Sequence, residues 1–371
     1  MSERPKLLLL IPHLGGGGAE KVMAQLAQGL SRKKYEVHLA LATQAGVPAD
    51  ALGAGVTVHA LGASRVRRAG PRLLALVRRL HPSLIVSGMF HLNFLVLLLR
   101  PLFPASTCVL VRQNGTVSAS LAFDGLPGYT RLLYRLLYRR ADRVICQSAA
   151  MAEDLARELG IRSARIAVLP NPVDVGGICD AARSGPNLWT GQGPHLLAVG
   201  RLSAEKGFDL LIEALARVRE QFPDVGLVIA GTGGEEAALR AQCRRLGLES
   251  AVQFAGQVDQ PAAYFPGATL FVLCSRHEGL PNALLEAGAG GLPLVAMPAS
   301  QGVVDLLDQQ PGAWLAKEIS ASGLVEALLK ALTALRPGER FAHAFMDEFQ
   351  SGRALAAHEE LLDGVLRERR L

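Results

Sequence analysis

The chain has 371 residues, half of them hydrophobic and 19% charged, which excludes a disordered polymer and favours two packed domains over one. Its longest apolar runs, Leu7–Ile11 and Phe94–Leu99, fall well short of the ~18 residues that a membrane-spanning helix needs. The net charge of +6 is unevenly shared: through Asp180 there are 22 Lys and Arg against 11 Asp and Glu, a net of +11, and the remainder has 17 against 22, a net of −5, so one half is expected to meet an anionic surface or substrate.

The opening "MSERPKLLLL" runs into glycines without a small-residue cleavage pattern, and a cytosolic protein is expected. A strand at residues 6–14 is followed by the loop "GGGGAE" (Gly15–Glu20), a helix "EKVMAQLAQGLSRK" and a second strand "YEVHLALAT". This alternation predicts a parallel sheet covered by helices on both faces. Between these strands and the end of the first half, "RVRRAGPRLLALVRR" (Arg65–Arg79) and "RLLYRLLYRRADR" (Arg131–Arg143) repeat apolar and basic residues at helical spacing. Such helices suit an anionic lipid surface, and they equally suit an ordinary surface helix. Further strands are expected at "SLIVSG", "CVLVRQ", "RVICQS" and "IAVLP". The five cysteines are widely spaced, with no C-x-x-C pair, and read as buried free thiols.

Glycine, proline and small residues over 171–194 break both periodicities, and the alternation then begins again. The fold class is therefore α/β: two tandem doubly wound Rossmann-like domains, with residues 1–180 and 181–340 as the domains and 341–371 as a terminal helical segment packing back toward the first. The cleft between two such sheets is the expected ligand site. "GRLSAEKG" (Gly200–Gly207) places Arg201 and Lys206 in a loop after a strand, a pairing of guanidinium and ammonium suited to a diphosphate. In "RHEGLPNALLEAGAGGLPLV", a strand ending at Ser275 leads into Glu278 and a helix beginning near Asn282, with Glu286 about one turn inside it. The amides of Gly279, Leu280, Asn282 and Ala283 can face an anion there, while a carboxylate can accept from the two hydroxyls of a polyol. Two carboxylates flanking an anion site read as a nucleotide-sugar site, and each glutamate by itself also fits a capping or solvated role.

These residues resemble the retaining family 4 glycosyltransferases. Glu278 and Glu286 form an E-x7-E motif, and "GGAE" (Gly17–Glu20), "PNPVD" (Pro170–Asp174), "GRLSAEKG" and "IAGTGG" (Ile229–Gly234) stand in that family's order. The resemblance, from Leu7 to about Leu315, implies the GT-B fold. It also implies transfer of a hexosyl or N-acetylhexosaminyl group from a nucleotide-diphosphate sugar, a UDP-sugar on family grounds, to a hydroxyl of a lipid-linked or cell-surface glycan precursor. Arg201 and Lys206 would bind the donor diphosphate, Glu286 the ribose, and Glu278 with the following amides the sugar. Gly17 and Gly18 would bring backbone to the phosphates, and His91 in "SGMFHLN", or else His13, would lie beside the reacting sugar. The stretch around His91 is more apolar than the family pattern, and "ASQGVVDLL" stands where the family often has Gly-Gly and Glu, which puts a role for Asp305 in doubt.

No D-x-D metal motif is present in the sequence. A metal-independent, cofactor-free transfer is therefore expected, and the family resemblance implies that it is retaining and follows a front-face course. No nucleic-acid partner is expected, and peripheral association is expected at the inner face of the cytoplasmic membrane through the basic half. Other readings are a catalytically silent nucleotide-sugar-binding subunit or another GT-B enzyme such as a nucleotide-sugar epimerase.

Overall fold

The computed structural model describes residues 4–15, 17–43, 52–53, 55–123, 129–184, 188–189, 191 and 193–370. The chain divides into two compact units, Met1–Pro172 with Ser351–Leu371, and Val173–Gln350. In the first unit, strands β1 (Lys6–Ile11), β2 (Glu36–Leu41), β3 (Val56–Ala60), β4 (Leu84–Ser87), β5 (Cys108–Arg112), β6 (Arg143–Cys146) and β7 (Ile166–Val168) form a parallel sheet in the order β3-β2-β1-β4-β5-β6-β7. Its helices are α1 (Gly18–Gly29), α2 (Gly70–Leu80), α3 (Phe90–Leu99), α4 (Val117–Phe123), α5 (Tyr129–Tyr138) and α6 (Ala149–Leu159). Leu7 to Ile11 are at most 1% exposed. A strand covered on both faces must be apolar at successive positions, and this is why β1 reads as an unbroken leucine run.

The second unit holds α7 (Val175–Ser184), β8 (His195–Val199), α8 (Phe208–Val218), β9 (Gly226–Ala230), α9 (Glu236–Arg245), β10 (Val252–Gly256), β11 (Leu270–Leu273), α10 (Asn282–Ala289), β12 (Leu294–Ala296), α11 (Gln301–Leu307), β13 (Ala313–Leu315), α12 (Ala321–Ala334) and α13 (Met346–Phe349). Its strands lie in the order β10-β9-β8-β11-β12-β13, again all parallel. Both sheets thus reverse direction between their first and fourth strands, β1 beside β4 and β8 beside β11, the arrangement of a doubly wound Rossmann-like fold.

The sequence periodicity passes over β3 and β13. Both are edge strands, paired on one side only; β3 alternates apolar with polar residues and β13 is three residues long, so neither gives a long apolar run. The first crossing also falls earlier than residue 180. Ile178, Ala181 and Ala182 of α7 pack on the core of the second unit, and the Cys179 thiol lies 3.3 Å from the Ala289 carbonyl. Residues 341–350 likewise belong with the second unit, where His343 Nε2 bonds the Leu292 carbonyl at 2.8 Å and Met346 and Phe349 are buried.

The final helix, α14 (Ser351–Arg370), lies on the first unit. Leu355, Leu361, Leu362 and Val365 pack with the β1 and α1 core. A Cβ at Gly29 would fall 2.4 Å from a Leu355 methyl, so this leucine packs directly on the glycine. Polar bonds fix the register: Glu359 accepts from the Ser31 amide at 2.8 Å and pairs with Lys34 at 2.8 Å, and Tyr35 hydroxyl donates to Asp363.

Within this packing, His358 is 4% exposed and bonds the Ala354 carbonyl through Nδ1 at 2.8 Å. Burial, reinforced by the Arg112 charge, pushes its pKa down to about 4. A histidine depressed in this way must fold neutral, so its contribution is fully present above the unfolded value near 6.5 and declines as pH falls toward 4. Burial lowers His38, His59 and His343 as well. The melting temperature is expected to drop between pH 7 and pH 5, His358 alone supplying on the order of 2 kcal/mol of the loss. His358→Leu should flatten that slope, and an unchanged slope in calorimetry would show that His358 does not carry it.

Candidate functional site

In an open parallel sheet, ligands bind beyond the carboxyl ends of the strands where the order reverses. In the second unit that place lies between β8 and β11, whose registers Leu196↔Leu270 and Leu197↔Phe271 set the two outgoing loops side by side. The loop after β8 carries Arg201 and Lys206, and the loop after β11 carries Glu278. Lys206 Nζ lies 2.6 Å from Glu278 Oε1, with the side chains 23% and 11% exposed. The Ser275 hydroxyl donates to the same oxygen at 2.6 Å. Both bonds fall on Oε1, so Oε2 is the oxygen that can accept from another hydroxyl.

A second arginine, Arg276, fastens one loop to the other. Its Nη1 and Nη2 reach the two Asp209 oxygens at 2.7 and 2.6 Å, and Nη1 also reaches the Ala204 carbonyl at 2.7 Å. Its backbone amide donates to the Glu205 carbonyl at 2.8 Å. The hydrogen bond from Arg276 holds the Asp209 carboxyl below its ordinary range, and Asp209 raises the guanidinium in turn. Gly207, at φ +67°, stands between these loops, and a Cβ there would fall 2.0 Å from the Cys274 carbonyl. Only glycine satisfies both the left-handed backbone and the contact. The "GTGG" turn after β9 supports the β8 loop from the other side, since the Leu202 amide donates to Thr232 O at 2.9 Å and the Glu235 amide to Leu202 O at 3.0 Å.

Arg201 turns to a different carboxylate from Lys206. Its side chain is 72% exposed and pairs with Glu205 at 3.1 Å, so the two cations predicted to converge are held by different carboxylates. Helix α10 starts at Asn282 as expected, with Pro281 before it and no side chain capping its first turn. Gly279 and Leu280 are buried just ahead of it, Asn282 and Ala283 are half-buried in its first turn, and Glu286 is half-buried about 6 Å further along the axis. The Glu278 amide donates to Ala299 O at 3.1 Å and Ser300 hydroxyl to Gly279 O at 3.2 Å, so the segment after β12 braces this turn. Asp305 is engaged elsewhere, accepting from Gln301 at 2.7 Å.

The first unit has a corresponding switch point between β1 and β4. Gly17 precedes α1, Gly18 opens it, and the Lys21 amide donates to Gly17 O at 3.0 Å. A Cβ on Gly17 would sit 2.2 Å from Glu20 Oε2, so this buried carboxylate lies directly against the turn. His13 accepts from the Gly15 amide through Nδ1 at 3.0 Å, and its Nε2 faces Glu20 at 4.0 Å. His91, exposed in the first turn of α3 after β4, packs edge-to-face with Phe90 at 5.0 Å between ring centroids. The structure therefore gathers Lys206, Glu278 and the start of α10 in one unit, and Gly17, Gly18, His13 and His91 on neighbouring loops of the other. Sequence reasoning missed Ser275, Arg276 and Asp209. The first two lie within the motif it examined, but their partners are fixed only by the fold. Among the described residues, no three His, Cys, Asp or Glu side chains cluster as metal ligands.

Comparison with known proteins points in one direction. Residues 16–176 match the model described as Glycosyltransferase Family 4, and residues 193–334 match Glycosyl transferases group 1. The chain is 30% identical over 285 residues to the lipopolysaccharide core biosynthesis glycosyltransferase LpsE of Rhizobium meliloti, covering 76% of this chain and 77% of that one. It is 29% identical over 316 residues to the N-acetylgalactosamine-N,N'-diacetylbacillosaminyl-diphospho-undecaprenol 4-alpha-N-acetylgalactosaminyltransferase of Campylobacter jejuni, covering 81% and 83%. Among solved structures, Anabaena HepE in complex with UDP and glucose superposes with a TM-score of 0.78 at 20% identity, over 97% of this chain and all of that one. At that identity the superposition supports the fold.

Arg276 is a positioning residue for the loop that presents Lys206. Arg276→Lys keeps the charge but loses the two-pronged geometry, and it is expected to weaken nucleotide binding roughly tenfold through loop misplacement. Titration calorimetry on Arg276→Lys and on the charge-swapped pair Arg276→Asp/Asp209→Arg tests this. Wild-type affinity in the lysine variant would remove Arg276 from the site.

Proposed function

The chain belongs to the family 4 glycosyltransferases, and from that premise we propose that it moves a sugar from a UDP-sugar to a hydroxyl of a lipid-linked or cell-surface glycan precursor, with retention at the anomeric carbon and without metal. The observation that carries this reading is the Lys206–Glu278 pair, 2.6 Å apart at the reversal point of the second sheet. It sets a cation suited to a diphosphate beside a carboxylate suited to sugar hydroxyls. Lys206, Arg201 and the amide end of α10 neutralise the charge that builds on the departing diphosphate. Glu286, one turn inside α10, accepts from the ribose hydroxyls, and Glu278 orients the sugar through Oε2.

In the front-face course, the bond from the anomeric carbon to the diphosphate oxygen breaks as the acceptor oxygen approaches the same face. The acceptor proton passes to the departing phosphate. No protein nucleophile is needed, so Glu278 acts by position. His91 or His13, each on a loop at the reversal point of the first sheet, would approach the reacting sugar, and Gly17 and Gly18 would present backbone to the phosphates. The choice of UDP is supported by its presence in the solved Anabaena protein, and the choice of a lipid diphosphate acceptor by the diphospho-undecaprenol in the name of the Campylobacter relative's substrate. Such an acceptor places the reaction at the inner face of the cytoplasmic membrane. Among the described residues no helix is long and apolar enough to cross a membrane.

The test is thermal-shift and calorimetric binding of UDP, GDP and ADP and their sugars with chelator present. UDP is expected to bind, and binding should strengthen with one sugar attached. Lys206→Ala and Glu286→Ala should each weaken UDP binding on the order of tenfold or more. Glu278→Ala should instead lower kcat with UDP affinity nearly kept, as should the variant of whichever histidine serves, His91→Ala or His13→Ala. Binding that appears only with added metal, or that prefers GDP, would overturn the corresponding part of the proposal.

A further inference from the structure

The two basic helices of the first unit part company in the structure. On α2 the apolar residues Leu73, Leu76 and Val77 face inward and are buried, so the core consumes its apolar stripe. Helix α5 has two apolar faces. Thr130, Tyr134, Leu137 and Tyr138 are buried: Tyr134 stacks edge-on to Phe94 at 4.8 Å, and the Tyr138 hydroxyl donates to Gln113 at 2.8 Å. Yet Tyr129, Leu132, Leu133 and Leu136 are 70, 59, 40 and 53% exposed. At spacings of three, four and seven residues, these four form one outward stripe about 100° wide. A rigidly anchored helix that leaves four large apolar side chains together in water leaves burial free energy unused, and such a patch marks an interaction surface.

Arginines border that stripe. Arg131, Arg135 and Arg139 follow one edge at intervals of four, and all are exposed. At the C-terminal end, Arg165 donates to Arg139 O at 2.8 Å and Arg140 to Leu97 O at 3.3 Å. Glu158 pairs with Arg131 at 3.0 Å, whereas Arg135 and Arg139 form no ion pair among the described residues. A second copy docked antiparallel through this stripe would set the same arginine rows against each other, because a two-fold interface is self-complementary. An anionic bilayer answers both features, taking leucines into the boundary between headgroups and acyl chains while its phosphates meet the guanidiniums.

We propose that α5 is a membrane-docking helix, with Leu132, Leu133 and Leu136 entering an anionic leaflet and Arg135 and Arg139 on lipid phosphates. The purpose of this surface rests on the lipid-linked acceptor proposed above, but its lipid binding does not. The full-length protein is mixed with sucrose-loaded vesicles of phosphatidylcholine alone or with about 30 mol% phosphatidylglycerol, a fraction on the scale of natural anionic leaflets, and sedimented across a salt series. UDP binding and light scattering are measured on the same samples.

Binding to the anionic vesicles only, weakened by salt, is expected. Leu132→Ser/Leu136→Ser should reduce it at least about tenfold with melting temperature and UDP binding kept, and Arg135→Gln/Arg139→Gln should remove most of its salt dependence. The proposal falls if anionic vesicles fail to sediment a folded wild-type protein, or if the leucine pair is neutral. It also falls if the wild type is a dimer that the leucine variant turns into monomer, which would make the stripe an interface between copies. Vesicle binding without UDP binding would overturn the UDP-sugar donor reading and leave this surface standing.

Discussion

The pairing of β8 with β11 is the constraint on which the donor-side site depends. Residues 206 and 278 meet because the sheet places its fourth strand beside its first, and parallel strands send both following loops out at the same edge. The hydrogen bonds of the ladder therefore do what no local propensity could. Arg276 then converts adjacency into fixed geometry: its two bonds to Asp209 and one to the Ala204 carbonyl tie the β11 loop to the middle of the β8 loop and to the first turn of α8. A lysine on a flexible loop would lose binding energy to its own ordering, whereas a lysine on a clamped loop has already been ordered by folding. The Lys206–Glu278 pair fits the same logic. Each charge is partly withdrawn from water and compensated by the other, with Ser275 adding a hydrogen bond to the shared oxygen.

Close approach of backbone is the second recurrent requirement, and glycine meets it where a side chain could not fit. Gly207 lets the β8 loop run against the Cys274 carbonyl, and Gly231 lets the turn after β9 run against the Gly200 carbonyl. The first unit also buries a guanidinium at the end of β5. Arg112 is 2% exposed, bonds Asn171 Oδ1 at 2.7 Å, and is lowered by burial to about 10. A buried charge without a carboxylate is costly, and its partner lies next to Pro172, the last residue before the chain leaves the unit. The bond thereby fixes the exit strand end to the interior of the sheet.

Hydrophobic periodicity identifies apolar faces without saying which are covered. The two basic helices look alike as strings, each mixing leucines and arginines at helical spacing. Their difference arises from neighbours: α2 has one apolar side and lies on the sheet with it, while α5 uses an aromatic side for anchoring against α3 and retains a second, outward one. Burial of Tyr134 and Tyr138 is what orients the leucines away from the core.

By itself the sequence determined the alternation of strands and helices, the two Rossmann-like halves, the family, and the positions of Lys206, Glu278, Glu286 and the start of α10, because those signals are local: apolar runs, glycine turns and motif spacing. It missed β3, whose apolar residues alternate with polar ones, and β13, which is only three residues long. It placed the crossings at 180 and 340 instead of at Pro172 and Gln350, because composition marks where regular structure pauses and not which core a segment packs on. Tertiary structure alone decided that Arg201 turns to Glu205, that Arg276 and Asp209 clamp the loops, and that Ser275 shares the Glu278 oxygen. Each of these is a contact between side chains whose directions are set by strand order and loop packing, quantities that no residue's own neighbours in sequence encode.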